Sequence, residues 1–257
     1  MTLPQQCYVV DHAAVAYNGM IYVMGGYDPI YTAYNRMYAI DMKSKAIKAM
    51  PSMNEGRGDA HATVYTYKDD GKKVAIIAGG FTHVNNFCAA LQTVEMYDFE
   101  EETWVKLSDM KEARGDKALV ELNGLVYAIG GEAKHQDYCN PDVTVSESSA
   151  SIAIDDVETL DLSLGVKSEW VIQNDLKDYR FRSASAVWTD SNGRSTVYLF
   201  GGHTGYNSVC NCIPASNLVY SYSVEGEKDK TSGINKVGIA VGVSLASVAV
   251  LAVGALL

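Results

Sequence analysis

Cysteine and histidine are the side chains of this sequence best suited to chemistry. Four of the five cysteines lie in three segments that each follow a pair of glycines, and each of these segments also carries a histidine ahead of its first cysteine. The cysteines are Cys88, Cys139, Cys210 and Cys212, and the histidines are His83, His135 and His203. Thiols that meet in an oxidising compartment form disulfides, whereas cysteine and histidine together bind soft metals such as zinc. The spacing is irregular, so disulfides, free thiols and a metal stay open as alternatives. We carry the four cysteines forward as candidate disulfide partners, with no metal site and no cofactor predicted.

The segments that position these residues repeat one pattern four times. Each repeat has an alternating apolar run, a turn, a second apolar run and a glycine pair. The turns are Asn18-Gly19, Asp70-Gly71, Asn123-Gly124 and Asn192-Gly193, and the glycine pairs are Gly25-Gly26, Gly79-Gly80, Gly130-Gly131 and Gly201-Gly202. Asn-Gly and Asp-Gly supply the positive φ values of a two-residue turn, so each repeat is predicted to open with a β-hairpin. The glycine pairs are predicted to lie where strands crowd, because a residue without Cβ permits close approach.

Two further strands are predicted in each repeat after a loop of variable length. Tyr38, Tyr97 and Tyr220 mark the third strand, and Trp104 and Trp170 mark the fourth strand in the second and third repeats. The fourth repeat is expected to lack its outer strand. Glycine pairs recur about every 50 to 70 residues, and a period near 50 with four strands is typical of a propeller blade.

The repeats resemble those of the kelch family. The resemblance rests on the hairpin at residues 18–26, on Tyr97-Asp98 and Trp104 further along, and on an arginine ahead of the next repeat. It covers residues 3–224 and implies an all-β, kelch-type β-propeller over residues 1–224, with blades near 12–50, 60–107, 116–172 and 183–224. Kelch propellers usually have six or seven blades. An open arc exposes strand edges and apolar faces, so four blades favour an incomplete or open propeller.

One face of the predicted propeller carries the candidate cysteines, histidines and arginines. Strand direction alternates within a blade, so the loops between second and third strands share a face with the connections between blades. The second-to-third loops span 27–36, 81–93, 132–156 and 203–217, and this face often grips a peptide or protein in kelch proteins. The resemblance therefore implies partner-binding candidates, which are Arg57, Arg114, Arg182, His83, His135 and His203. Alternatively, the arginines bind neighbouring backbone carbonyls and join blades, since arginine has several donors.

The end of the chain predicts a membrane segment. The stretch from Val237 to Leu257 carries no charge and no proline, and as a helix it is about 30 Å long, enough to cross a bilayer. Residues 225–236 form a polar linker. By the positive-inside rule Lys228, Lys230 and Lys236 favour a cytosolic propeller, whereas residues 231–233 resemble a lipid-anchor signal. A single-pass membrane protein is predicted, with an extracellular or lumenal propeller preferred.

Composition and charge argue against some classes of function. The net charge of −10 argues against a nucleic-acid binder, which needs a basic surface to displace counterions. No set of tyrosines and histidines that would line the blades recurs at matching positions, and no pair of acids is expected to face a pocket, so no catalytic residue is predicted. The main hypothesis is a membrane-anchored module that binds a protein or peptide and is not an enzyme. The alternative, from the resemblance, is a copper- or zinc-dependent kelch-type enzyme such as a carbohydrate oxidase.

Overall fold

The computed structural model describes residues 9–173, 176 and 178–223. Within them, three four-stranded antiparallel sheets and one three-stranded sheet follow one another along the chain, and a small two-stranded sheet is inserted in the third repeat. The first sheet contains β1 (Ala13–Tyr17), β2 (Met20–Met24), β3 (Met37–Asp41) and β4 (Ile47–Met50), and the second contains β5 (His61–Thr66), β6 (Lys73–Ala78), β7 (Val94–Asp98) and β8 (Thr103–Lys106). The third contains β9 (Ala118–Leu122), β10 (Leu125–Ile129), β13 (Val157–Leu160) and β14 (Val171–Ile172), and a separate two-stranded sheet of β11 (Glu132–Lys134) and β12 (Ser151–Ala153) lies in the loop between β10 and β13. The fourth contains β15 (Ala184–Thr189), β16 (Ser195–Phe200) and β17 (Val219–Ser223).

The hairpins that open the sheets are of two kinds. Tyr17 pairs with Met20 across Asn18-Gly19, and φ is 47° at Asn18 and 74° at Gly19, as a two-residue turn requires. The third sheet opens in the same way. The second and fourth sheets open with longer turns, since Thr66 pairs with Lys73 and Thr189 with Ser195. The prediction of two-residue turns is therefore wrong for these two sheets, where only the glycine of each Asp-Gly or Asn-Gly pair has a positive φ.

The glycine pairs lie where one sheet meets the segment leading to the next. All eight of these glycines have positive φ values. The Gly26 N–H donates to the Arg57 carbonyl at 2.8 Å, and a Cβ on Gly25 would collide with that carbonyl. Both the backbone conformation and the space therefore require glycine at this contact.

Apolar side chains are buried between sheets. In the described part of the chain they form three clusters, one for each pair of consecutive sheets. Representative members are Met24 and Ile77 between the first two sheets, Ile76 and Trp170 between the next two, and Val120 and Val197 between the last two. Each sheet thus buries its faces against its neighbours, which is how propeller blades are stabilised.

This arrangement confirms the predicted all-β fold with four propeller blades. In the described residues the fourth blade has three strands and the others have four. An opening in the ring and the division of the chain into domains stay predictions.

The predicted membrane location needs a correction. Among the residues that the structure describes, no helix is both long enough and apolar enough to cross a bilayer. The segment from Val237 to Leu257 and the linker at 225–236 lie outside those residues. The single-pass location is not carried further.

Candidate interaction face

Exposed apolar side chains protrude from the second-to-third loops of all four blades. Ile30 in the first blade is 83% exposed, Val84 in the second 81% and Val209 in the fourth 95%. Val143 in the third blade is also exposed. Single exposed apolar residues are common on proteins, but one on each of four neighbouring loops forms a set of contact points on one face. We call these four loops, at 27–36, 81–93, 132–156 and 203–217, the loop face.

The loops of the first two blades contact each other directly. The backbone N–H of Ala33 donates to Nδ1 of His83 at 2.9 Å, and this bond joins the two loops. The rings of Tyr27 and Phe87 meet edge-to-face with centroids 5.7 Å apart. These contacts fix the two loops relative to each other.

A disulfide joins the loops of the second and third blades. Cys88 and Cys139 are bonded, with their Cα atoms 5.5 Å apart and a sequence separation of 51. Cys210 and Cys212 form a second disulfide within the loop of the fourth blade, with Cα atoms 5.2 Å apart. The structure therefore pairs the four candidate cysteines, one pair between blades and one within a loop.

The three candidate histidines lie on the loop face but do not converge. His83 accepts from the first loop, as described above. Nδ1 of His135 accepts from the backbone N–H of Asp137 at 3.1 Å, and the His203 ring stacks on Phe181 with centroids 5.6 Å apart. Each histidine thus supports the shape of a loop, and a role in binding a partner stays a prediction.

Arg57 lies fully buried between the first two blades. One guanidinium nitrogen donates to the carbonyls of Gly79 and Thr93 at 3.0 and 2.9 Å. The other donates to the buried carboxylate of Glu95 at 3.0 Å. The same Glu95 carboxylate accepts from the backbone N–H of Asn54 at 2.8 Å. This cluster joins the connection between blades to the second blade.

Arg114 repeats this arrangement one blade later. Its guanidinium donates to the Gly130 carbonyl at 2.9 Å and to the Glu158 carboxylate at 2.7 Å, and it also contacts Asp156. Glu158 accepts from the backbone N–H of Lys111 at 2.7 Å. Because Arg57 and Arg114 have no exposed surface, a docked partner cannot reach them. For these two arginines the joining role fits the structure, and contact with a partner does not.

Arg182 occupies a different position of the repeat. The carbonyls that accept from the second glycine of the first three pairs belong to Arg57, Arg114 and Arg180, at distances of 2.8, 3.0 and 2.8 Å. The buried Arg180 is therefore the repeat equivalent of the first two, and its guanidinium lies 4.3 Å from the ring centre of Tyr220. Arg182 is half exposed and pairs with Asp116 at 3.0 Å and with Glu132 at 3.1 Å. Contact between Arg182 and a partner stays a prediction.

Three aspartates recur at one position near the propeller axis. Asp11, Asp59 and Asp116 all have φ close to 52°, and successive members are linked by backbone hydrogen bonds of 2.9 Å. They line a cavity of about 210 Å³ together with His12 and His61. Burial, followed by the negative charge of Asp116, raises the pKa of Asp59 to about 7. The Tyr27 hydroxyl donates to the same Asp59 carboxylate at 2.9 Å.

The raised pKa of Asp59 predicts a pH-dependent stability. The unfolded chain releases the Asp59 proton near pH 4, whereas the folded protein holds it until about pH 7. The contribution of Asp59 to the free energy of unfolding is therefore fully present below about pH 4 and is lost as the pH rises to about 7. We expect Asp59→Asn, which keeps an acceptor for Tyr27, to remove that fall and to stabilise the protein at pH 8 by ~2 kcal/mol. Urea unfolding at pH 5 and pH 8 measures the difference. The control is Asp109→Asn on an exposed carboxylate, and an identical pH dependence in all three proteins would contradict the prediction.

The described residues of this face contain no candidate metal site. Across residues 9–173, 176 and 178–223, no group of three or more histidine, cysteine, aspartate or glutamate side chains is arranged to hold a metal ion. The copper- or zinc-dependent enzyme that the resemblance raised therefore has no supporting observation in this part of the protein.

Comparison with known proteins agrees with this architecture. The family model "Kelch motif" matches residues 9–54 and 76–111, within the first two blades. Kelch-like protein 40 of Xenopus laevis is 30% identical over 131 residues, which cover 51% of this chain and 19% of that protein. Alpha-scruin of Limulus polyphemus is 27% identical over 230 residues, covering 86% of this chain and 22% of that protein. The chain thus spans about a fifth of the length of these relatives. These matches support a kelch-repeat protein, as the resemblance predicted.

A solved structure shows the same fold. The "Structure of YjhT" superimposes with a TM-score of 0.60 at 15% sequence identity and covers 85% of this chain and 62% of that chain. At this level of identity the likeness concerns the fold and not the function.

Proposed function

We propose that this protein is an interaction module, not an enzyme, that binds a protein or peptide partner through the loop face. The observation that carries the proposal is the set of exposed apolar side chains on the loops of all four blades, with Ile30, Val84 and Val209 each more than four-fifths exposed. Apolar groups surrounded by polar loop residues are the usual composition of a protein-binding surface.

The rigidity of the loops supports the same proposal. The hydrogen bond between Ala33 and His83 and the disulfide between Cys88 and Cys139 hold three loops in fixed relation. A binding surface that is already ordered loses less conformational entropy when a partner docks, which strengthens binding. Kelch-repeat relatives, among them Kelch-like protein 40 and alpha-scruin, contain the same kind of repeat within much longer chains.

The opposite face of the propeller offers a matched control. Leu164 is 79% exposed, like Val84, but it lies between the third and fourth strands of the third blade. Because loops alternate between faces along a blade, Leu164 is on the other side from the loop face. A charge placed at Leu164 changes exposed apolar surface by a similar amount without touching the proposed site.

Binding of partners by three proteins tests the proposal. Wild type, the triple variant Ile30→Asp/Val84→Asp/Val209→Asp and the control Leu164→Asp are each used to capture proteins from a cell extract, and captured proteins are quantified by mass spectrometry. We expect the triple variant to capture at least about tenfold less partner than wild type, equivalent to ~1.4 kcal/mol of binding free energy. The control is expected to capture as much as wild type. Equal capture by the triple variant, or equal loss by the control, would contradict the proposal. Circular dichroism spectra of all three proteins check that the fold is unchanged.

A further inference from the structure

The disulfide between Cys210 and Cys212 closes a much shorter loop of chain than the disulfide between blades. Its cysteines have a sequence separation of 2, whereas Cys88 and Cys139 have a sequence separation of 51. A cross-link stabilises a folded protein mainly by restraining the unfolded chain, and this effect grows with the length of the closed loop. The short link therefore contributes little to folding.

The loop around the short disulfide is organised independently of it. Asn207 and Cys212 exchange two backbone hydrogen bonds of 2.9 and 3.2 Å. The Asn207 side chain accepts from the backbone N–H of Val209 at 2.9 Å, and the Tyr206 hydroxyl donates to the Asn211 side chain at 2.9 Å. These bonds do not involve sulfur, so the two cysteines stay close together when the disulfide opens. Reduction can then be reversed without refolding the loop.

The backbone between the two cysteines does not depend on the disulfide for its conformation. Asn211, the single residue that separates them, has a φ of 49°, in the left-handed region that asparagine adopts more readily than most other side chains. Asn18 and Asn123 have similar φ values in turns that contain no disulfide. Asn211 can therefore keep its conformation when the ring is open.

Access to the sulfur atoms is unequal. Cys210 is exposed and follows Val209, which is 95% exposed, whereas Cys212 is only partly exposed. The loop at 203–217 contains no aspartate or glutamate, so none of its own residues repels a thiolate. An incoming thiolate therefore reaches Cys210 first.

We propose that Cys210 and Cys212 form a redox-active disulfide that exchanges with an external dithiol. One external thiolate attacks Sγ of Cys210, so a bond forms between these two sulfur atoms, the bond to Cys212 breaks, and Cys212 leaves as a thiolate that takes up a proton. The second external thiolate then attacks the external sulfur of this mixed disulfide and releases Cys210 as a thiolate, which is also protonated. Two electrons pass from the external dithiol to the pair, and the external sulfurs are left as a disulfide. This activity goes beyond the proposed partner binding, although the pair lies in the 203–217 loop of the loop face.

Redox titration of the full chain tests the proposal. The fifth cysteine is removed by Cys7→Ser in every protein, and the oxidised protein is equilibrated in glutathione buffers, quenched with acid and labelled with maleimide. Mass spectrometry of peptides reports each disulfide separately. We expect Cys210 and Cys212 to be reduced with an equilibrium constant at least tenfold larger than that of Cys88 and Cys139, which corresponds to ~30 mV. Simultaneous reduction of both pairs, or earlier reduction of Cys88 and Cys139, overturns the proposal.

Trapping of the mixed disulfide tests the site of attack. Cys212→Ser leaves Cys210 to bond with an oxidant, and the matched variant Cys210→Ser leaves Cys212. Each is treated with oxidised glutathione and, separately, with an oxidised peptide carrying two cysteines. We expect Cys210 to form mixed disulfides faster than Cys212. Faster reaction with the peptide identifies a protein substrate, and equal rates identify a general thiol substrate. If Cys210 reacts with neither, or no faster than Cys212, the proposal fails.

Discussion

Arg114→Met is expected to destabilise the protein by ~3–5 kcal/mol, the usual cost of removing one partner from a buried ion pair. Arg114 and Glu158 both have no exposed surface, and their atoms lie 2.7 Å apart. Removal of the guanidinium leaves the Glu158 carboxylate buried beside the apolar core, and it also leaves the Gly130 carbonyl without this donor. Urea denaturation at pH 7 measures the loss of unfolding free energy.

Arg182→Met is the matched control for this change. Arg182 also pairs with two carboxylates, but its own side chain is half exposed. The buried Glu132 carboxylate keeps the Lys134 ammonium at 2.8 Å and the Ser151 hydroxyl at 2.7 Å when Arg182 is removed. We expect a loss of at most ~1 kcal/mol there. The double variant Arg114→Met/Glu158→Leu is expected to recover part of the stability, because no charge is then left buried. Equal losses for Arg114→Met and Arg182→Met would show that burial of the pair has no energetic consequence.

Removal of the disulfide between blades is expected to have the next largest effect. Cys88→Ser/Cys139→Ser opens a link across 51 positions, for which the loss of chain restraint amounts to ~4 kcal/mol. The loss arises in the unfolded state, so the folded loops can keep their shape in the variant. Thermal and urea unfolding of the oxidised proteins give the difference in stability.

The pair in the fourth blade is the control for this prediction. Cys210→Ser/Cys212→Ser removes a link that closes a ring through one residue, so the expected loss is much smaller. Reduced wild type should match the Cys88→Ser/Cys139→Ser variant in stability. If both double variants unfold at the same urea concentration as wild type, the cross-link between blades does not contribute to the fold.

The blades were predictable because their signals are local in sequence. Asn18-Gly19 and the pair Gly25-Gly26 determine backbone conformations within a few residues, and every repeat has an Asn-Gly or Asp-Gly turn and a glycine pair. The turn lengths of the second and fourth blades were predicted wrongly. There the register sets Thr66 opposite Lys73, and the glycine of Asp70-Gly71 supplies only part of a longer turn.

The contacts between blades were less accessible to sequence reasoning. Arg180 was missed in favour of Arg182, although Arg57, Arg114 and Arg180 each lie four residues before the first strand of a blade. Glu95 and Glu158 were also missed. In the sequence each is an ordinary polar residue of a strand, and its role is visible only because the fold brings a buried arginine next to it.

The pairing of Cys88 with Cys139 could not be predicted without the folded arrangement of the blades. Sequence separation alone allows several connectivities among the cysteines, and none of them is favoured by the spacing. The pairing follows from two long loops that leave adjacent blades on one face. The exposed apolar residues at the ends of the loops had no recognisable spacing either, because the loops differ in length from blade to blade.

Hydrogen–deuterium exchange of the protein bound to a captured partner tests most directly whether the loop face is the binding surface. Peptides from 27–36, 81–93 and 203–217 should become protected when the partner binds. The turns on the opposite face, including the one that contains Leu164, should exchange at the same rate with and without the partner. Protection of those turns, with unchanged exchange in the three loops, would contradict the account.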